Sequence, residues 1–305
     1  VKTFLVINPQ SANGVTGRRW AELSAQVGRA LGEFGHAFTE GPMHAVQLTR
    51  EALRQGYGCV AAVGGDGTIN EVVNGFFQDG ARVAPGAHFA VLPRGTGGDF
   101  RRTFAWGTDF GEALERVRAG VSRPLDVGEL EYQSHEGRVQ RRYFVNICSF
   151  GASGLVDQEV NRASKAFGGW ASFYLGTVRA LLKYRDVPVR ISLDGGAPES
   201  VPVTTLAVAN GRYFGGGMKV APGADPSDGV FDVTLWSGYG LSDFALKSKG
   251  VYDGGHIGWS GTRTMRCRSL VAEADEEVLL DVDGEQPGRL PCRITLLPGA
   301  LSLLG

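Results

Sequence analysis

The sequence predicts an α/β plus all-β chain: a parallel α/β lobe over residues 1–124, then a β-sandwich lobe over 125–305. Three observations predict it. Apolar residues switch between strand and helix periods along the first lobe. Short apolar runs separated by turn clusters fill the second. Glycine accounts for 46 of 305 residues, roughly twice the average usage, with no G-X-Y period that would indicate collagen. Those glycines belong in turns or where backbone approaches a ligand. A chain of 305 residues also fits two domains at about 150 residues each.

Residues 3–7 form a short apolar run ending in Asn8-Pro9, a strand followed by a turn. Trp20, Leu23, Val27, Leu31 and Phe34 recur at spacings of three and four, which predicts a helix. A strand over 36–39 and a helix over 46–54 come next. Residues 59–63 are a continuous apolar strand, and Ile69, Val72, Val73, Phe76 and Phe77 return to the helical period. A strand over 89–92 and a helix over 110–119 complete the lobe. This alternation predicts a parallel sheet covered on both faces. The boundary is placed near Arg123-Pro124, and the C-terminal residues are a candidate to return to the first lobe. Beyond it, 142–149, 187–193, 203–210, 230–236, 278–283 and 293–297 read as strands, with one helix over 164–185.

The net charge of -1 provides no global attraction to nucleic acid. No apolar run approaches the length of a membrane span without a charge. The opening VKTFLVINP reads as a buried strand rather than a signal peptide. Cys59, Cys148, Cys267 and Cys292 are far apart with no CxxC, so they read as scattered buried thiols in a cytosolic setting.

In an open parallel sheet, ligands sit at the carboxyl ends of the strands. Three Gly- or Asn-rich loops succeed predicted strands of the first lobe: residues 8–14, 64–68 and 94–100. In the middle loop, Gly64-Gly65-Asp66-Gly67-Thr68, glycines let backbone N–H groups approach phosphate oxygens at a helix start near Thr68. Thr68 and Glu71 have the spacing of a capping box. Asp66 beside a phosphate makes sense with an intervening Mg²⁺. Neither the P-loop nor the GxGxxG pattern is present. The same residues also read as a tight strand-to-helix turn with a surface carboxylate.

GGDGTINEVVNG (64–75) and then LPRGTGGDF (92–100) resemble the diacylglycerol kinase catalytic domain family, which includes bacterial diacylglycerol kinase-like, sphingosine kinase-like and ceramide kinase-like lipid kinases. NPQSANG is similar to that family's opening loop. ANGRYFGGGMKVAPGADPSDGVFDV (209–233) and VDGEQ (282–286) resemble its C-terminal motifs. The resemblance implies a Rossmann-like nucleotide lobe and a sandwich lobe for the lipid acceptor, in the NAD kinase/diacylglycerol kinase-like arrangement. It implies ATP- and Mg²⁺-dependent phosphorylation of a lipid hydroxyl. The matching nucleotide positions are Asn8, Pro9, Gln10, Ser11, Ala12, Thr39, Gly64, Gly65, Asp66, Gly67, Thr68, Asn70, Gly95 and Thr96.

The resemblance places the general base at Glu285, with Asp283 beside it, or at Asp66; Asp66 and Asp99 would join a Mg²⁺ and water network. Asp225, Asp228 and the carbonyl of Val230 match a structural Mg²⁺ site. Read from the residues alone, Asp283-Gly284 is equally a hairpin turn, and Asp225–Asp228 a Pro/Asp/Gly turn. Two departures stand out. Gly98 replaces the Asn of the usual GTGND, and Arg101 stands where a small residue is common. Ala12 also replaces a frequent Gly.

The expected partner is a lipid at a membrane surface, met by peripheral contact from the cytoplasmic side, without nucleic acid; a homodimer is left open. The aromatic-rich stretch around Phe167, Trp170, Phe173 and Tyr174 reads as an interfacial helix or as a helix packed on the sandwich. An NAD kinase-like enzyme and a nucleotide-binding regulator that has lost catalysis are the alternative functions.

Overall fold

The computed structural model describes residues 1–95, 98–155, 184–240, 243 and 249–305. Thr96 and Gly97, and the predicted helix over 164–185 with its aromatic residues up to 183, lie outside the described residues. The chain forms two compact units, Val1–Val127 with Pro298–Gly305, and Gly128–Leu297.

The first unit runs β1 (Thr3–Ile7), α1 (Val15–Arg18), α2 (Trp20–Leu31), β2 (Phe34–Phe38), α3 (His44–Arg54), β3 (Cys59–Gly64), α4 (Asp66–Gly75), the two-residue strands β4 (Phe77–Gln78) and β5 (Ala81–Arg82), β6 (His88–Pro93), α5 (Asp99–Thr103) and α6 (Phe110–Ala119). β1 pairs in parallel with β2 and β3, and β3 with β6; Ser302–Leu304 add a further parallel strand beside β6. β3 is buried along its whole length, which is why it reads as an unbroken apolar run. On one face Leu5, Ile7, Ala61, Val63, Ala90 and Leu92 pack with Leu23 and Val27 of α2 and Phe110, Leu114 and Val117 of α6. The other face meets α3 and α4. The strand register brings three loops together. Ile7 lies opposite Val63, and Gly64 opposite Pro93, so β1, β3 and β6 end at one edge.

Phe34 opens β2 instead of closing α2, because Gly32 ends that helix at φ 76°. The helix after β3 begins at Asp66, not Thr68, and Gly65 is its N-cap without a side-chain cap. The capping box is thereby corrected. Thr68 Oγ1 accepts from Asn8 Nδ2 at 3.3 Å, and Glu71 Oε2 instead accepts the Ala45 N–H in the first turn of α3 at 3.1 Å.

The second unit consists of β7 (Ser122–Ser134, which starts in the first unit), β8 (Val139–Phe144), β9 (Ile147–Gly151), β10 (Val187–Leu193), β11 (Glu199–Val203), β12 (Thr205–Ala209), β13 (Phe231–Trp236), β14 (Thr262–Cys267), β15 (Ser269–Ala274), β16 (Leu280–Val282) and β17 (Gly288–Leu304, which ends in the first). One sheet contains β11-β10-β15-β17, with β7 also against β17 and β8 on β7; the other is β14-β13-β12-β9-β16. Val189, Ile191, Leu270 and Ile294 from the first pack against Cys148, Phe150, Leu206, Val208 and Val233 from the second. That is a β-sandwich core. The run predicted as one strand over 142–149 is two strands, broken at Val145-Asn146. The run over 203–210 is likewise broken at Thr204. All four cysteines are buried free thiols.

Candidate functional site

The three loops at the carboxyl edge of the first unit are knitted by side chains. Asn8 Oδ1 accepts the Gln10 N–H at 2.9 Å, turning the chain after β1. Ser11 Oγ lies 2.8 Å from the Asn8 carbonyl and 2.7 Å from Thr16 Oγ1. Asn8 reaches the second loop through Thr68. Arg94 reaches back to the helix after the first loop, its Nε donating to Thr16 Oγ1 at 3.4 Å. Gly95 and Gly65 touch backbone to backbone: a Cβ on Gly95 would stand 2.8 Å from Gly65 Cα. Thr39 comes just after the neighbouring strand, its N–H donating to the Ile7 carbonyl at 2.8 Å. Asn70 is fully buried within α4.

Asp66 is the strongest link. Its Oδ2 accepts the N–H groups of Gly98 at 2.8 Å and Asp99 at 3.1 Å, and its Oδ1 that of Phe100 at 3.2 Å. These are donors of the first turn of α5, which has no cap of its own. A carboxylate from the second loop therefore shapes the third. Asp99 is buried and pairs with Arg102 at 2.7 Å. Among the described residues no group of three or more His, Cys, Asp or Glu is placed to hold a metal ion. Among the described residues the edge has no protein-only cage for Mg²⁺, an ion that takes most of its ligands from phosphate and water in phosphoryl-transfer sites.

In the second unit, Val282 and Glu285 exchange backbone hydrogen bonds around Asp283 (φ 52°) and Gly284 (φ 87°). Two positive φ values make this a type I′ hairpin turn, for which Asp-Gly is a favoured pair. Asp283 does for this unit what Asp66 does for the other. Its carboxylate accepts the N–H groups of Val145 at 3.2 Å, Asn146 at 3.1 Å and Ile147 at 2.9 Å. That interaction is the break between β8 and β9. Buried Asp281, which carries no motif signal, accepts the Gly284 N–H at 2.9 Å and the Ser149 hydroxyl at 3.1 Å. Glu285 is exposed at the turn.

The Asp225–Asp228 segment is also a turn. Asp225 Oδ1 accepts both the N–H and the hydroxyl of Ser227. Asp228 Oδ1 accepts the Val230 N–H at 3.2 Å, and its Oδ2 meets the Arg266 guanidinium. Arg266 Nε also lies 3.5 Å from Asp232, whose carboxyl is pushed up by burial. These residues do not fit a structural Mg²⁺ as they stand, because an arginine already supplies the positive charge.

A parallel α/β unit whose strand-end loops are tied together by side chains, joined to a sandwich unit rich in structural carboxylates, is the class this chain defines. Residues 2–130 match the family described as "Diacylglycerol kinase catalytic domain", and residues 146–305 match "YegS C-terminal NAD kinase beta sandwich-like domain". The chain belongs to the diacylglycerol kinase catalytic domain family. It is 28% identical to a diacylglycerol kinase of Bacillus subtilis (strain 168), over 94% of this chain and 90% of that protein. A crystal structure of a diacylglycerol kinase from Bacillus anthracis str. Sterne shares the fold with a TM-score of 0.72 at 22% identity, covering 99% of this chain and 96% of that one. Yeast NADH kinase shares it at a TM-score of 0.57 and 11% identity, covering 99% and 82% of the two chains.

Proposed function

We propose that this chain is a lipid kinase that transfers the terminal phosphoryl group of ATP to the hydroxyl of diacylglycerol or of a related lipid, such as a sphingoid base or ceramide. The observation that carries the reading is the family match across both units, combined with three loops locked together at one strand edge. Phosphoryl transfer asks a protein mainly for positioning and charge neutralisation, and a knitted backbone edge suits that task. In this reading the Rossmann-like first unit holds ATP through Asn8–Ala12, Thr39, Gly64–Asn70, Gly95 and Thr96. Bound with the nucleotide, Mg²⁺ would neutralise charge on the phosphates.

The acceptor hydroxyl must lose its proton to a carboxylate. Asp66 and Asp283 each hold three backbone N–H groups, and Asp99 is buried against Arg102. We assign the base role to Glu285, the position at which the family resemblance places it, on the exposed hairpin turn. Among the described residues no helix is long and apolar enough to cross a membrane. We place the contact with the lipid surface as peripheral, on the cytoplasmic side.

The test is incubation with Mg²⁺, labelled ATP and separate vesicles containing diacylglycerol, sphingoid base, ceramide or phosphatidylglycerol. Label in at least one lipid is expected. ATP binding without transfer to any lipid would make the chain a nucleotide-binding regulator instead, and NADP formation from NAD would make it an NAD kinase.

A further inference from the structure

The loop edge has a charge problem that its motifs do not answer. The N–H groups of Gly98, Asp99 and Phe100 are already taken by Asp66. They are not available to an incoming anion, and the Asp66 carboxylate adds negative charge, while that of Asp99 is offset by Arg102. A polyphosphate needs positive charge from side chains here.

Arg102 is paired with Asp99 and Arg94 reaches Thr16, whereas Arg101 lies over the third loop itself. Its Nη1 donates to the Trp106 carbonyl at 3.1 Å, which anchors one end of the guanidinium. The rest of the side chain lies over Gly98. A Cβ at Gly98 would stand 2.5 Å from Arg101 Nε, 3.1 Å from Cδ and 3.2 Å from Cγ. Gly98 itself has φ 79°, a left-handed conformation that glycine adopts without cost. The arginine therefore fills the volume that a side chain at position 98 would occupy. Gly98 for Asn and Arg101 for a small residue, two separate departures along the sequence, are one exchange in space.

We propose that Arg101 is a phosphate-binding residue of the nucleotide site, its guanidinium taking the place of the amide missing at position 98. This rests on the reading that the edge binds ATP. Guanidinium is suited to the exchange, since it offers five donors in a planar fork and stays charged at all relevant pH.

The experiment is calorimetric titration of ATP and of adenosine into the wild-type chain, Arg101→Ala, Arg101→Lys, Gly98→Asn and the double variant Gly98→Asn/Arg101→Ala, with thermal melts to confirm folding. Arg101→Ala is expected to weaken ATP about tenfold or more, the worth of a charge-assisted hydrogen bond, and to leave adenosine unchanged. Arg101→Lys should recover part of the loss. Gly98→Asn alone should weaken ATP by displacing the guanidinium, and the double variant should bind ATP more tightly than Arg101→Ala. ATP affinity unchanged in Arg101→Ala, or an equal loss for ATP and adenosine, would overturn the assignment while leaving the kinase reading in place. A wild-type chain that binds no ATP would instead overturn the reading beneath it.

Discussion

Asp66 Oδ2 accepts the backbone N–H of Gly98 at 2.8 Å, across 32 positions of sequence. This bond and its two neighbours make the acid of the GGDG loop a latch for the third loop. Replacing it with Asn removes the charge and leaves one oxygen for three donors. Asp66→Asn is expected to cost about 1.5–3 kcal/mol of stability, the scale of a charged hydrogen bond. Chemical denaturation measures that loss, and ATP titration should show weaker binding in the same variant.

Glu285→Gln separates the chemical role from the structural one. It changes an exposed side chain, so the denaturation midpoint should stay within error of the wild type. Turnover on the labelled lipid should fall by about 10²–10⁴-fold, the usual contribution of a general base. Retained turnover would remove Glu285 from the mechanism.

Asp283→Asn should behave in the opposite sense. Its carboxylate holds Val145, Asn146 and Ile147 where β8 gives way to β9. A loss of about 1.5–3 kcal/mol in the denaturation of the chain is expected. Faster hydrogen exchange should be concentrated at the amides of residues 145–147.

Ala12→Gly should stabilise the chain. Ala12 sits at φ 52°, in a left-handed run with Asn13 and Gly14. An alanine there costs about 1–2 kcal/mol, partly offset by the extra unfolded-state entropy of glycine, about 0.5–1 kcal/mol. A net gain of up to about 1.5 kcal/mol is the difference, readable as a higher denaturation midpoint.

The thiols set an alkaline limit. Burial pushes Cys59, Cys267 and Cys292 from 9.0 to about 12, and raises Cys148 well above 9.0. Below about pH 8 both folded and unfolded thiols are protonated, so they add no pH dependence. Between about pH 9 and 12 the unfolded chain loses thiol protons that the folded chain keeps, and stability falls as pH rises. Denaturation at a series of pH values should show that decline. A thiol reagent at pH 8 should leave the native cysteines unreacted and modify all four in denaturant.

Much of the first unit was legible because its signals are local. Apolar spacing of three and four marks α2, α4 and α6, and unbroken apolar runs mark β3 and β6. The second unit was less so. β14 alternates weakly and is mostly exposed, so its run carries little apolar signal. The break inside 142–149 is marked locally only by the polar Asn146, because its cause is the carboxylate of Asp283, 136 to 138 positions away.

The candidate site divides along the same line. By itself the sequence determined the alternating α/β order, the three loops and the family, since periodicity and motifs are written in neighbouring residues. Only the tertiary structure decided what each acid touches. Asp66 and Asp283 are occupied by distant backbone donors, Asp228 by Arg266, and Glu285 is exposed. A carboxylate's role depends on which donors fold against it, and those donors lie far away along the chain.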